Sequence, residues 1–117
     1  KMKFVFHVDE VCRWQVALSS IKNTVRYLKE HQLPIVIDVV TNSEAVQVLV
    51  PDVAETKGFL ETFNTLFTDG VHVLACLNAL DASGLAKENL LAQVEVVPAS
   101  MIHLAVRQSE GYAYIRP

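Results

Sequence analysis

What most constrains this chain is an alternation: short runs of β-forming residues are followed, again and again, by amphipathic helical stretches. Lys3-Phe4-Val5-Phe6-His7-Val8 is the first run and ends at the acidic pair Asp9-Glu10. Trp14, Ala17, Leu18, Ile21, Val25 and Leu28 then fall at helical spacings and form one apolar stripe. Arg13, Ser19, Lys22, Asn23, Arg26 and Lys29 fill the opposite face. Pro34 marks the turn into Ile35-Val36-Ile37-Asp38-Val39-Val40, whose near-continuous apolar run predicts a strand buried on both faces. Thr41-Asn42-Ser43 offers cap chemistry for a short helix over residues 44–49. Pro51 is expected to break that helix, and a second amphipathic helix is expected from about Glu55 to Asp69, with Gly70 as its C-terminal cap. Val71 to Ala75 reads as a third strand leading into Cys76, followed by a short helix over Leu77 to Ser83 that Gly84 stops. After a turn at 88–91, Val94 to Val97 is the fourth strand. Ser100 is placed to cap a helix carrying Met101, Ile102, Leu104, Ala105 and Val106, which Gly111 ends, and Tyr112 to Ile115 forms a last strand. Strand and helix in regular alternation predict an α/β fold: three layers, α/β/α, around a mainly parallel central sheet of about five strands.

Length and composition narrow the function classes. At 117 residues the chain is one domain's worth, and neither a repeat nor a low-complexity segment interrupts it. With 51% apolar and 20% charged residues it can build a core, which excludes intrinsic disorder. A net charge of -3 leaves no basic footprint for nucleic acid. No apolar run approaches the roughly 20 residues a bilayer crossing needs. The run at residues 3–8 is too short for the core of a signal peptide, and two cysteines do not make a disulfide scaffold. A cytoplasmic, reducing location is therefore expected.

In an open parallel sheet, ligands gather beyond the carboxyl ends of the strands, where helix N-termini present unpaired N–H groups. That rule selects His7, Asp9 and Glu10 after the first strand, Thr41, Asn42 and Ser43 after the second, Cys76 and Asn78 after the third, and Pro98 and Ser100 after the fourth. Cys76 is the one strong nucleophile among them. A cysteine between a strand end and a helix start feels the positive end of the helix dipole, which favours thiolate. The competing reading is a small buried hydrophobe. His7 stands at a strand end, where it could bind a ligand, polarise a neighbour or simply pack. His72 and His103 read as satisfied packing histidines. Asp38 interrupts an apolar strand and reads as an edge-strand carboxylate facing solvent or an interface, with an acid/base role as the alternative. Cys12 has no CxxC partner, and a disulfide to Cys76 is not expected in a reducing compartment. No paired-ligand spacing of the zinc type appears, so no metal is expected. The chain has no G-x-G-x-x-G, Walker or G-x-S-x-G motif, and its 4 glycines are too few for a phosphate-cradling loop.

Several segments together resemble the DsrE/DsrF-like (YchN-like) family: Phe4-Val5-Phe6-His7-Val8-Asp9, Val39-Val40-Thr41-Asn42, Ala75-Cys76-Leu77-Asn78-Ala79-Leu80, Val96-Val97-Pro98-Ala99 and Glu110-Gly111-Tyr112-Ala113-Tyr114-Ile115. The resemblance covers nearly the whole chain and is closest to the small stand-alone branch. It implies a compact α/β/α domain assembled into oligomers, here a homo-oligomer such as a trimer, hexamer or dimer. In the sulfur-relay members one cysteine after a middle strand accepts a sulfane sulfur as a persulfide and hands it on. Cys76 matches that position, while His7, Asn42 and Asn78 are pocket candidates by placement only. Relay members work with partner subunits and sulfur carriers, which implies donor and acceptor proteins here.

Two readings follow. In the first, the chain is a sulfur carrier in which Cys76 thiolate takes sulfur from a persulfide or polysulfide and gives it to an acceptor thiol, with no metal or organic cofactor. In the second, it is a non-catalytic oligomeric module that binds a small ligand or peptide, and Cys76 is packing. A hydrolase or oxidoreductase built on His7 with Asp9 has only proximity behind it.

Overall fold

A computed structural model describes residues 1–117. Five strands, β1 (Phe4–Val8), β2 (Ile37–Thr41), β3 (His72–Cys76), β4 (Glu95–Val97) and β5 (Ala113–Ile115), form one sheet in the order β4-β3-β2-β1-β5. Every neighbouring pair is parallel. Between them lie α1 (Trp14–Glu30), α2 (Pro51–Thr56), α3 (Leu60–Thr68), α4 (Leu77–Ala82) and α5 (Ser100–Ser109), with 3-10 turns at Val11–Arg13, Ser43–Leu49 and Lys87–Asn89.

The strand order dictates how the layers fill. From β1 to β4 each strand is added on the same side of the last, so right-handed crossovers place all their helices on one face of the sheet. The connection from β4 to β5 runs the other way across the sheet and carries α5 to the opposite face. Two apolar clusters record this division. A core of 26 residues joins the α1 stripe, the 42–68 segment and α4 to the inner side chains Phe6, Val8, Ile37, Val39, Val73 and Ala75. On the other face a cluster of only four, Val5, Val40, Leu74 and Leu104, lies under α5.

The first helical stripe is buried residue for residue as spaced: Trp14, Ala17, Leu18, Ile21, Val25 and Leu28 are the buried residues of α1. Trp14 packs edge-on against Phe63 of α3 at 5.2 Å and donates its indole N–H to the carbonyl of Ala45 at 2.9 Å. β2 is buried along its whole length, as a central strand should be.

The helical segment expected before Pro51 does end there, at Leu49 and as a 3-10 helix, and Pro51 then begins α2 as its first helical residue, where its missing N–H costs nothing. The helix expected over 55–69 is two helices, α2 and α3, because Gly58 turns the chain at φ +78, a conformation other residues adopt at a steric cost.

Candidate functional site

Cys76 ends β3 and is at the same time the residue that precedes the first turn of α4. It pairs in register with Val97 of β4, and β4 leads through Pro98 and Ala99 into α5. The two connections leave adjacent strands for opposite faces of the sheet. This is the topological switch point of the fold, where a crevice opens outside the carboxyl ends of the strands. Cys76 sits between two diverging helix starts.

Cys76 is 5% exposed, and the groups that bear on its thiol are donors. Burial pushes the Cys76 thiol up, since it disfavours the charged form. Against that act the hydroxyl of Ser100 and the backbone amides of Ala79, Ser100 and Asn78, each of which lowers it. The donors prevail, and the thiol lies below its ordinary value. No charged side chain contributes to the shift, so the thiolate is favoured by hydrogen bonds alone.

From Ser100 a line of hydrogen bonds crosses the sheet. Asn42 Nδ2 donates to Ser100 Oγ at 3.2 Å. Asn42 Oδ1 lies 3.1 Å from Nε2 of His7, and Nδ1 of His7 lies 2.7 Å from the hydroxyl of Tyr114. These residues stand on β1, just past β2, at the start of α5 and on β5, so the line passes above most of the sheet. His7 is buried at 6% exposure, with both ring nitrogens occupied, whereas Tyr114 reaches solvent.

Sequence reasoning placed His7, Asn42 and Cys76 at strand ends, and the structure joins His7 and Asn42 to Ser100 in one network, with Cys76 at the neighbouring strand end. Asn78 is present by its backbone amide, while the residue itself is exposed. Two expected caps do other work. Neither Asn42 nor Ser100 caps its helix by a side-chain hydrogen bond, because both side chains are turned into the network. Tyr114, which the sequence places only within the last strand, also belongs to the network. Its part depends on β5 lying beside β1, with Val5 opposite Tyr114 and His7 one pleat further on. An alternation signal, Tyr112 and Tyr114 on one face, was available for it.

Other candidates lie elsewhere. Asp9 pairs with Arg116 at 3.0 Å and not with His7, which removes the geometry for a His7–Asp9 acid/base couple. Cys12 is exposed, and both cysteines are free. His72 is not a packing histidine; it is exposed and pairs with Glu95 at 2.7 Å. Asp38 is not on an edge strand. It is 3% exposed in the central strand β2, held by Nε2 of His103 at 2.8 Å and Nε of Arg107 at 2.7 Å. No three His, Cys, Asp or Glu side chains come together as metal ligands. No helix is long and apolar enough to cross a membrane. A groove of about 340 Å³ between α1 and α3 is lined mainly by mixed charges, Lys22, Arg26, Lys29, Glu30 and Asp69, and contains none of the network residues.

Comparison with known proteins agrees with this architecture. The structure of MTH1491, a protein of unknown function from Methanobacterium thermoautotrophicum, is similar over 100% of both chains, with 35% sequence identity and a TM-score of 0.83. The crystal structure of the ychN protein from E. coli shares the fold over 100% of both chains at 15% identity and a TM-score of 0.67. No curated protein matches the sequence. A model of the DsrE/DsrF-like family matches residues 14–117, and the chain belongs to that family.

Proposed function

We propose that this protein is a sulfur carrier that holds sulfane sulfur as a persulfide on Cys76 and passes it to an acceptor thiol. The observation that carries the reading is the placement of Cys76 at the end of β3 between the starts of α4 and α5, where the Ser100 hydroxyl and nearby backbone amides lower its thiol against the effect of burial. The same donors that favour a thiolate favour a persulfide anion. In the loading step, Cys76 thiolate attacks the outer sulfur of a donor persulfide. A new S–S bond forms, the donor's S–S bond breaks, and the donor leaves as a thiolate. In the unloading step an acceptor thiolate attacks the outer sulfur of the Cys76 persulfide and Cys76 thiolate is the leaving group. Sulfur moves and no net oxidation occurs, so no cofactor is required. A donor and an acceptor protein belong to this reading.

A homo-oligomeric assembly is part of the proposal, and α5 supports it. This helix turns Ser100, His103, Leu104 and Arg107 toward the sheet and leaves Met101, Ile102 and Val106 at 56%, 65% and 45% exposure. An apolar stripe on the outside of the one helix covering that face is what a second copy of the chain would bury.

The 5% exposure of Cys76 favours the second reading, a binding module with a structural cysteine. Intact-protein mass spectrometry after incubation with polysulfide separates the two. Wild type is expected to gain whole sulfur atoms and Cys76→Ser none, with Cys76 alkylated in the native state. Protection of Cys76 until denaturant is added, with no sulfur gained, refutes the carrier.

A further inference from the structure

We propose that the amino ends of β2, β3 and β4 form a second site, which binds a primary ammonium group against the carboxylate of Asp38. It does not depend on Cys76, which lies four residues along β3 from His72, about 13 Å at roughly 3.3 Å per residue. The site follows from one helix serving a five-stranded face. α5 packs mainly on β1, β2 and β5. Beside it Asp38 pairs in register with His72, and Leu74 with Glu95. Strand alternation puts these four side chains on the side of the sheet that α5 covers in part. A cavity of about 320 Å³ opens there, lined by Asp38, His72, Glu95 and Arg107 together with Val36 and Leu74.

Asp38 gives the cavity its chemistry. The residue is 3% exposed, and both of its partners donate to the same oxygen, Oδ2: Nε2 of His103 at 2.8 Å and Nε of Arg107 at 2.7 Å. No group of the protein hydrogen-bonds to Oδ1, yet no side-chain oxygen sealed from solvent lacks a partner. Oδ1 therefore reaches the cavity. A buried carboxylate with a bare oxygen calls for a donor, and a charged donor satisfies it best. The neighbouring charges select the sign. Asp38 and Glu95 line the cavity against one guanidinium, and that guanidinium already serves Asp38 through Nε and Glu110 through Nη1. Beyond the wall, Lys3 and Glu110 add one charge of each sign. Nδ1 of His72 lies 2.7 Å from the Glu95 carboxylate, so the neutral ring carries its hydrogen there and leaves Nε2 an acceptor. An anion would meet the bare Oδ1, and an alcohol would satisfy it without offsetting the excess negative charge. A primary ammonium does both, and Val36 and Leu74 offer apolar wall to a short alkyl chain behind it.

The test titrates the ¹⁵N-labelled protein with n-butylammonium chloride, and with n-butanol and sodium butyrate at the same ionic strength. Butylammonium is expected to shift the amides of Asp38, His72, Leu74 and Glu95 saturably, with a millimolar Kd, while the alcohol and the anion leave them in place. Asp38→Asn keeps an oxygen for His103 and Arg107 and turns an amide N–H toward the cavity, so the Kd should rise about tenfold or more. Glu95→Gln changes a half-exposed side chain that cannot unfold the protein, and should raise the Kd about threefold. Circular dichroism confirms the fold of each variant, and the ligand series with Glu95→Gln decides the matter if Asp38→Asn does not fold. Nα-acetyl-lysine methylamide carries the same alkylammonium on a peptide. Binding of butylammonium alone makes the occupant a free amine, and binding of both makes it a lysyl side chain of a partner as well. No saturable shift at these amides, equal binding of butanol or butyrate, or a folded Asp38→Asn protein with unchanged affinity overturns the proposal.

Discussion

Replacing Asp38 by alanine tests how α5 is held to the sheet. Asp38 is a carboxylate at 3% exposure on a central strand, and its partners His103 and Arg107 both come from α5. Breaking a buried ion pair by removing one partner costs about 3–5 kcal/mol, because the survivor is left uncompensated. Two features lower that figure here. The Arg107 side chain is 29% exposed, and it keeps Glu110 at 2.9 Å, so its guanidinium is not stranded. Alanine is also the better strand residue of the two, slightly. A loss of about 2 kcal/mol is expected, mostly from the two charge-assisted hydrogen bonds and the desolvated imidazole. With a urea slope of about 1.5 kcal/mol/M, the unfolding midpoint should fall by about 1.3 M. Urea denaturation followed by far-UV circular dichroism measures it directly. A midpoint within about 0.2 M of wild type, a difference worth only about 0.3 kcal/mol at that slope, refutes the argument, since it would mean that the triad is solvated in the folded protein. The triple variant Asp38→Val, His103→Leu, Arg107→Met supplies the converse. Replacing the whole cluster with apolar residues should recover most of the loss, because burying three polar groups is itself expensive.

The depressed thiol of Cys76 makes stability depend on pH with a definite sign. A group whose folded value lies below its unfolded value releases its proton first in the folded state, so its contribution grows as pH rises. The difference in stability between wild type and Cys76→Ser should be smallest at acidic pH. It should increase toward about pH 8.5, where the unfolded thiol ionises, and level off above it. A difference independent of pH from 5 to about 9 would contradict a lowered thiol. On α5, Ile102→Lys should leave the unfolding midpoint almost unchanged, since Ile102 is 65% exposed, and yet shift the protein toward monomer in sedimentation velocity. An unaltered sedimentation coefficient would exclude that stripe from self-association.

Those cases also show where the sequence could be read and where it could not. The α1 stripe was legible because one period, 3.6, decides it, and a helix under a large core obeys that period. Asp38 was misplaced because a charge in an apolar strand looks like an edge, and the partners that neutralise it lie 65 and 69 residues away. The same face of the sheet explains α5. With Asp38 and His7 pointing into it, the helix that covers it needs polar groups on its inner stripe, and Ser100, His103 and Arg107 supply them. Apart from Leu104, its large apolar residues Met101, Ile102 and Val106 are then left outside, which inverts the usual inference from hydrophobicity to burial.

That inversion bears on the site. Cys76 could be singled out from its position alone, but its donors could not, since three of the four come from backbone, and a backbone amide has no residue-type signature. What brings Ser100 to Cys76 is the reversal of direction after β4, which carries α5 to the far face and parts the two helix starts at the end of β3. The reversal also returns the chain to the other edge and sets β5 beside β1, within reach of His7. One topological event therefore supplies both Ser100 and the tyrosine at the opposite end of the network. A chain ending after β4 and its helix would retain Cys76 and Ser100 but lose Tyr114, leaving Nδ1 of His7 without its hydrogen-bond partner. On this argument the last strand belongs to the site as much as to the sheet.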